Sequence, residues 1–390
     1  MAKFFKQFKD QMREREAAQA ILDQPIADRP IVVYSEDDYS WNQLGPYVTA
    51  VTAEQGLPIT YVTSDSNDPL LAQQPEGVTV VNITASISAF LPKIDSPVFV
   101  TTMPDLDTYH IKRPAKSLVA YVFHSLNSIH MAYRTGAFDA YDAFLCTGPH
   151  HKAELEAHYS MINKPLPELF EVGYPKLDGI VHRFNRYSKQ HPDETTVLIA
   201  PSWGDHNLLA AMGPDLVEAL TARGFRVVVR PHPAFFESIY PEGRAIVGDI
   251  ERTFDGNDQV VVESSITTED SFLEADLMIC DWSGAAYEYA LGTRRPVLSI
   301  DLPPKVNNAD WESLGIVPFE NRMRFEIGEV IESADVGVAA DMAEQLIARS
   351  DQFEVQLNEL RESSVYNVGS SASVGGQVLA ELAHRGLTQK

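Results

Sequence analysis

Cysteine is scarce in this sequence. Of 390 residues two are cysteines, Cys146 and Cys280, and each ends an apolar run, AFLC and LMIC. Two thiols cannot build a disulfide framework, which excludes the disulfide-stabilised secreted class and favours a reducing, cytoplasmic setting. We expect both cysteines in the core, because free cysteine packs as a small apolar side chain.

Long apolar runs and positive charge are also lacking. No run approaches the ~18 residues of a membrane span, and the first residues lack the apolar segment of a signal peptide. The 31 Lys and Arg residues stand against 55 Asp and Glu residues, a net charge of -24. This balance excludes nucleic acid as a partner, because a phosphate backbone requires the opposite sign. A small anionic substrate would need a pocket that concentrates its own cations.

The amino terminus departs from this acidic balance. Residues 1–16, MAKFFKQFKDQMRERE, hold five basic residues against three acidic ones. In a helix, one face would carry Phe4, Phe5, Phe8 and Met12, with lysines beside it. Such a basic amphipathic helix can lie on an anionic membrane surface, which predicts a peripheral position on the inner face of the cell membrane. The alternative is a terminal helix packed on its own domain or on a partner subunit.

Strand-like apolar runs alternate with helix-like segments in two series. A polar stretch, RFNRYSKQHPDETT at residues 183–196, separates them and is interpreted as an interdomain linker. Alternation of this kind indicates parallel sheets covered by helices. We predict an α/β protein with two Rossmann-like doubly wound domains facing across a cleft. The predicted segments are an N-terminal helix (1–24), the two domains (25–185 and 186–368) and a C-terminal helix that can cross back (369–390).

The stretch VVVRPHPAFF places polar residues where a buried strand ends. Arg230 and His232 follow the strand FRVVV, and the carboxyl ends of parallel strands open towards ligands. The flanking prolines stiffen the turn. An arginine fork and an imidazole both suit phosphate oxygens, so this turn is a candidate phosphate site, with a structural turn as the alternative.

A second cluster follows in ESSITTEDSFLEADLMICDWSGAAYEYALG. Hydroxyl side chains precede one helix start, and DWSG opens the next helix after the strand DLMIC. Small residues at a helix amino terminus let backbone amides approach an anion closely, although helix capping would explain any single serine. The cluster predicts a diphosphate site, with Glu288 reaching ribose hydroxyls. The donor-binding candidates here are Ser264, Thr267, Thr268, Asp281, Ser283, Gly284 and Glu288.

The first series of strands also ends in histidine. His124 follows the strand SLVAYVF, and His130 comes six residues later. A neutral histidine can accept a proton from an alcohol near pH 7. Asp139 and Asp142 are candidates to orient a histidine, or surface acids of a short helix. The nearby histidines fit no compact zinc spacing, so no metal site is predicted.

These motifs occur in a definite order. His124 is followed by GYPKLD, APSW, RPHP and DWSG, and over Tyr121 to Asp301 the chain resembles the CDP-glycerol glycerophosphotransferase family, the teichoic-acid-polymerase-like enzymes with a GT-B fold. The resemblance implies transfer of glycerol phosphate from CDP-glycerol to an acceptor hydroxyl, with release of CMP, in cell-surface polymer or capsule biosynthesis. It implies His124 as the general base and His232 at the pyrophosphate, with Ser283 on a phosphate. It adds Ser202 of APSW to the donor side, and His130, Tyr174 and Lys176 to the acceptor side.

The chain departs from the family pattern at four positions: Ser125 replaces a glycine, Gly204 a basic residue, Trp282 a tyrosine and Gly284 a serine. These changes leave the glycerol part of the donor open to another CDP-activated polyol. The acceptor is a polyol phosphate, a glycan or a lipid-linked molecule. No cofactor is required, and a divalent cation is not indicated. The alternatives are a glycosyltransferase or epimerase using a UDP- or GDP-sugar, and a non-catalytic nucleotide-binding assembly factor.

Overall fold

The computed structural model describes residues 2–37, 39–263, 268–332 and 335–389; side chains are described from residue 12 to residue 388. The chain divides into two compact units. Unit 1 comprises Met1–Ser125, Tyr133–Lys176 and Val365–Lys390, and unit 2 comprises Leu126–Ala132 and Leu177–Ser364. Both are α/β units with parallel sheets, as the alternating pattern predicts.

Unit 1 contains a parallel sheet with the order β3-β2-β1-β4-β5-β6-β7, counting strands in the described residues. Its strands are β1 (Ile31–Ser35), β2 (Ile59–Thr63), β3 (Val78–Asn82), β4 (Val98–Thr101), β5 (Leu118–Val122), β6 (Ala143–Cys146) and β7 (Glu168–Glu171). β1, β2, β4 and β6 are buried along their whole length, because helices cover both faces of the sheet.

The helices of unit 1 include both ends of the chain. They are α1 (Ala2–Asp23), α2 (Trp41–Glu54), α3 (Ile87–Phe90), α4 (Pro149–Met161) and α13 (Ser371–Gln389). α13 packs on α2, where a β-carbon at Gly376 would lie 2.6 Å from that of Ala50. Leu379, Leu382 and Ala383 join the same core as β1 and β2. The last helix is therefore an integral part of unit 1.

Unit 2 repeats the topology with the order β10-β9-β8-β11-β12-β13 among its described strands. The strands are β8 (Thr196–Ile199), β9 (Arg226–Val229), β10 (Val260–Val262), β11 (Leu277–Cys280), β12 (Val297–Ile300) and β13 (Gly328–Ile331). The helices are α6 (Leu208–Thr221), α7 (Gly243–Thr253), α8 (Asp270–Glu274), α9 (Ala285–Thr293), α10 (Phe319–Glu326), α11 (Val336–Ala348) and α12 (Ser350–Ser364). The unit boundary falls within α5 (Pro175–Phe184).

The unit boundaries differ from the predicted domains in three places: residues 126–132 and 177–185, predicted in the first domain, belong to unit 2, and residues 365–368, predicted in the second domain, belong to unit 1. Residues 183–196, interpreted as a linker, belong to unit 2, because Glu274 accepts hydrogen bonds from the backbone N–H groups of Gln190 and His191 and Lys189 pairs with Asp276 at 2.8 Å. Leu126–Ala132 also belongs to unit 2, although the chain on either side of it lies in unit 1. The polar composition of residues 183–196 therefore reflects hydrogen bonds and ion pairs within unit 2 rather than an unbonded linker.

α1 covers most of the predicted N-terminal helix. Its bounds, Ala2–Asp23, agree with a single helix over this region, but the side chains of the predicted apolar face at Phe4, Phe5 and Phe8 lie outside the described residues. Further along, Glu14 accepts hydrogen bonds from the backbone N–H groups of Ala85 and Ser86, which ties α1 to unit 1. Among the described helices, none has the length and hydropathy of a membrane span.

Candidate active site

His124 lies just beyond the carboxyl end of β5 in unit 1, half-buried, as the sequence predicts. Its Nδ1 is 3.2 Å from the carbonyl oxygen of Thr102 and 3.2 Å from the hydroxyl of Tyr121. Its Nε2 is 2.9 Å from the hydroxyl of Tyr133. Both ring nitrogens therefore have partners within unit 1.

These partners favour one neutral tautomer of His124. A carbonyl oxygen can only accept, so Nδ1 carries the proton and donates it to Thr102. Nε2 then holds the lone pair and accepts from the Tyr133 hydroxyl. An imidazole in this state can take up a proton at Nε2, which is what a general base for an alcohol requires.

Tyr174 holds the backbone of His124 in place. Its buried hydroxyl donates to the backbone carbonyl of His124 at 2.9 Å. The preceding Gly173 has a φ of 102°, and a β-carbon there would lie 2.1 Å from the carbonyl oxygen of Tyr366, so the GYP turn needs glycine. Tyr174 thus positions His124. Lys176 lies half-buried at the start of α5, and its place on the acceptor side stays a prediction.

Neither aspartate considered as a histidine-orienting group contacts His124. Asp139 pairs with His158 at 2.6 Å and with Lys164, and these hydrogen bonds hold the pKa of Asp139 below its usual value. Asp142 accepts from Arg113 and from the backbone N–H of Val119. A backbone carbonyl, rather than a carboxylate, orients His124.

Glu36 is a further titratable group of unit 1, directly after the central strand β1. Loss of hydration, then the charges of Asp37 and Asp105, raise the pKa of this carboxyl to about 7. The side chain nevertheless keeps contact with solvent. Acidic groups that titrate near neutrality at strand ends are candidates for acid–base chemistry.

His130 lies in unit 2, away from the first-domain position in which the prediction placed it. Its Nε2 contacts the carbonyl oxygen of Ile316 at 3.1 Å, and Asn308 donates to its backbone carbonyl at 2.9 Å. The backbone N–H of Ser128 in the same segment donates to Glu320. The side chain is 5% exposed, so these contacts support a packing role for His130.

His232 lies after β9 in unit 2, at the position the RPHP stretch predicts. The backbone N–H of Ala234 donates to its Nδ1 at 3.2 Å, so Nδ1 holds a lone pair. In the neutral ring the proton is therefore on Nε2. The ring keeps an exposed edge, but protein packed around it and then the Lys305 ammonium lower the pKa of His232 to about 4. At neutral pH His232 is therefore a neutral donor through Nε2.

An indole and an ammonium accompany this imidazole. The Trp203 and His232 ring centroids are 6.0 Å apart, and the Lys305 Nζ lies 3.4 Å from the centroid of the Trp203 ring. Burial lowers the pKa of Lys305 to about 8. Lys305 lies in the loop after β12, a stretch that sequence reasoning did not single out.

Arg230 is occupied by an ion pair. Its Nη1 donates to Glu263 at 2.8 Å and to Ser271 at 3.1 Å, and its guanidinium lies over the Phe272 ring. The residue is 8% exposed. Contact of Arg230 with a pyrophosphate stays a prediction.

Asp281 and Ser202 are in contact, but through the backbone N–H of Ser202. The buried Asp281 carboxylate accepts from the N–H groups of Ser202 at 2.6 Å and Leu208 at 2.7 Å, and its pKa is raised by burial. The carboxylate thus fixes the loop that carries Trp203. A carboxylate would repel a phosphate, so Asp281 is expected to shape the candidate site rather than to bind the donor phosphates.

The other donor-side candidates lie around α8 and α9. Ser283 and Glu288 are buried, and Gly284 caps α9, where a β-carbon would lie 3.0 Å from Oδ1 of Asn127. Thr268 donates to Asp270 at the start of α8. The candidates Ser264 and Thr267 lie outside the described residues. In the part of the chain with described side chains, no group of three or more His, Cys, Asp or Glu residues could hold a metal ion.

Tyr133, Glu36 and Lys305 are the candidates that sequence reasoning missed. Glu36 had a signal, because SED follows the first strand directly. Tyr133 and Lys305 had none, since each reaches its histidine only through the folded loops. A lysine distant in sequence from RPHP could be found only by knowing that β12 lies in the same sheet as β9.

Comparison with known proteins agrees with this architecture. The family model for CDP-Glycerol:Poly(glycerophosphate) glycerophosphotransferase matches residues 32–301. No curated protein matches the sequence. Among solved structures, the Wall Teichoic Acid Polymerase TagF soaked with CDPG matches with a TM-score of 0.61 at 14% identity, over 100% of this chain and 97% of that chain.

Nucleotide-sugar epimerases share the fold as well. A putative UDP-N-acetylglucosamine 2-epimerase from Listeria monocytogenes matches with a TM-score of 0.59 at 12% identity, over 92% of this chain and 97% of that chain. UDP-GlcNAc 2-epimerase from Neisseria meningitidis bound to UDP-GlcNAc matches with a TM-score of 0.53 at 10% identity, over 91% and 99%. These likenesses establish a GT-B fold for the chain.

Proposed function

This chain belongs to the CDP-glycerol:poly(glycerophosphate) glycerophosphotransferase family, and on that premise we propose that it transfers a polyol-phosphate unit from a CDP-activated donor to an acceptor hydroxyl. Glycerol phosphate is the expected unit, and CMP is the expected leaving group. The product is a cell-surface polymer or capsule component. The enzyme class follows from the family, whereas donor, acceptor and product are the proposal.

The observation that carries the mechanism is the tautomer of His124. Because Nδ1–H donates to Thr102, Nε2 is free of a proton and accepts from the Tyr133 hydroxyl. The acceptor hydroxyl takes the place of Tyr133 at that lone pair and gives its proton to Nε2. Its oxygen forms a bond to the distal phosphorus, the bond to the bridging oxygen breaks, and CMP leaves with that oxygen.

Unit 2 has the complementary role of binding the donor. Nε2–H of the neutral His232 donates to a pyrophosphate oxygen, and the backbone at Ser283 and Gly284 adds further donors. Transfers of this type depend mainly on positioning and on stabilising the charge that develops on phosphate oxygens. The direction of Ala234 N–H to Nδ1 supports this role, since it leaves the proton on Nε2.

Titration calorimetry tests the donor. We expect CDP-glycerol or CDP-ribitol to bind more tightly than UDP-N-acetylglucosamine, and His232→Ala to weaken that binding. CMP release in the presence of a polyol-phosphate acceptor then tests turnover. Selective binding of UDP-N-acetylglucosamine would instead support the sugar-nucleotide alternative, which the epimerase likeness favours at the level of fold alone.

We also propose that residues 1–16 hold the enzyme on the cytoplasmic face of the membrane, near a lipid-linked acceptor. The five basic residues and the apolar positions of this segment support contact with an anionic surface. Sedimentation with anionic vesicles checks this, with neutral vesicles as the control. Equal recovery with both kinds of vesicle would contradict it.

A further inference from the structure

Lys305 is an unusual cation in unit 2. Residues 177–364 contain two lysines, Lys189 and Lys305. Lys189 is neutralised by Asp276, whose carboxylate lies 2.8 Å from its Nζ. No carboxylate among the described residues lies within ion-pair distance of Lys305, although the chain as a whole carries a net charge of -24. A half-buried ammonium without a carboxylate is costly, which requires a reason.

The Trp203 indole covers one side of the Lys305 ammonium. Nζ lies 3.4 Å from the centroid of the Trp203 ring, so one side of the ammonium is covered by the indole. The same indole is next to the His232 ring, 6.0 Å between centroids. An ammonium has three N–H donors, and those that point away from the indole remain available to an anion.

The neighbouring Gly204 explains why a lysine is needed here. The sequence resemblance implies a basic residue directly after this tryptophan, but the chain has glycine there, with a φ of 113° and open space around a β-carbon. Residue 204 thus offers no positive charge, and His232 is neutral because its pKa is lowered. Lys305 is a charged group over the Trp203 ring whose field also acts on His232.

We propose that Lys305 binds a phosphate oxygen of the nucleotide donor and supplies, from the loop after β12, the charge that Gly204 does not. The inference rests on the proposed function, because it places the donor diphosphate beside His232. Trp203 aligns the ammonium, and Nε2–H of His232 and the Lys305 N–H groups share the phosphate oxygens. The lysine thus contributes both to affinity for the donor and to neutralisation of the leaving phosphate.

Calorimetry on matched variants tests the assignment. Lys305→Met keeps the apolar stem over Trp203 and removes the charge, and Arg252→Ala removes a charge from an exposed position of the same unit. At pH 7.5 we expect Lys305→Met to weaken CDP-glycerol binding on the order of 10- to 100-fold, the effect of one hydrogen bond to a charged group. Arg252→Ala should change binding by less than about twofold.

The pH dependence gives a second signature. The phosphate prefers the ammonium form, so wild-type affinity should be nearly full at pH 7 and below and fall as pH rises through the Lys305 pKa of about 8. Between pH 7 and pH 9 this loss is about tenfold. Neither the diphosphate of CDP-glycerol nor His232 titrates in that range. Lys305→Arg should keep its affinity throughout, because guanidinium stays protonated.

The outcomes separate this inference from the proposed function. If wild type binds CDP-glycerol and Lys305→Met binds it equally well, the Lys305 assignment is overturned while the function stands. If CDP-glycerol does not bind but UDP-N-acetylglucosamine or inorganic pyrophosphate binds in a Lys305-dependent way, the function fails and the anion site stands. If none of the three binds in a Lys305-dependent way, the assignment is overturned.

Discussion

The two units place a histidine after a strand of similar sheets, yet the two imidazoles are prepared for opposite tasks. In unit 1 a carbonyl oxygen faces Nδ1 of His124, whereas in unit 2 a backbone N–H faces Nδ1 of His232. The first arrangement leaves a lone pair on Nε2 and the second leaves a proton there. A single backbone partner thus decides whether the outward nitrogen accepts or donates.

The surroundings of the two rings reinforce this difference. His124 is held by hydroxyls of Tyr121 and Tyr133, which are neutral groups. His232 is kept neutral by loss of hydration and by the Lys305 ammonium. A fold that repeats its topology can therefore present a hydrogen-bond acceptor in one unit and a donor in the other without changing the residue type.

Glutamine substitution at His124 and His232 is expected to give the largest effects and tests whether the two imidazoles differ as described. Glutamine can donate from its amide but cannot act as a base near neutral pH. We expect His124→Gln to lower kcat by ~10²–10⁴, the usual contribution of a general base. His232→Ala should lower kcat by ~10²–10³, and His232→Gln should recover part of that loss. CMP-release assays measure all three variants.

Equal losses in the two glutamine variants would contradict the tautomer assignment. Circular dichroism and thermal unfolding serve as controls for folding. Donor binding adds a further check, because His124→Gln should leave CDP-glycerol affinity unchanged if this residue acts only on the acceptor.

Tyr133→Phe tests the unit 1 histidine with a smaller expected effect. Removing the hydroxyl leaves Nε2 of His124 without its partner at 2.9 Å but keeps the aromatic packing. Because the acceptor hydroxyl takes the place of Tyr133 at Nε2 in the proposed reaction, we expect kcat to stay within about threefold of wild type. A loss as large as that of His124→Gln would instead make Tyr133 the group that passes the proton.

Glu36→Gln gives the smallest expected effect, a change in the stability of the protein that depends on pH. The pKa of Glu36 is raised to about 7, so ionisation of this carboxyl penalises the folded state as pH rises from 4.5 to 7, and the penalty is complete above 7. The variant should therefore be more stable than wild type at pH 8 and unchanged at pH 4. Because the side chain is solvent-exposed, we expect less than about 1 kcal/mol in thermal unfolding. A gain that is equal at both pH values would contradict this origin.

Local patterns predicted the parts of the molecule that depend on local sequence. Runs such as IVVYS and LMIC are buried strands, and the positions of His124 and His232 after strands follow directly from the pattern. Both cysteines are buried at strand ends, as expected. These features follow from hydrophobic periodicity, which each segment carries by itself.

Features that depend on contacts between residues distant in sequence could not be predicted from local patterns. Leu126–Ala132 reads as a loop of the first domain, but Ser128 and His130 bond to residues far along the chain in unit 2. The ion pair of Arg230 with Glu263 was not predicted, because Glu263 follows a different strand. Lys305 has no local pattern at all and becomes notable only beside Trp203.

The position of α13 has a consequence for how the protein is made. A ribosome releases residues in order, so unit 2, which needs nothing beyond Ser364, is complete before unit 1. Until Ser371–Gln389 emerges, α2 exposes the apolar surface that α13 covers. The nascent chain thus carries an unfinished first unit through the whole synthesis of the second, and the unit that holds His124 closes only after Ser371–Gln389 has been made.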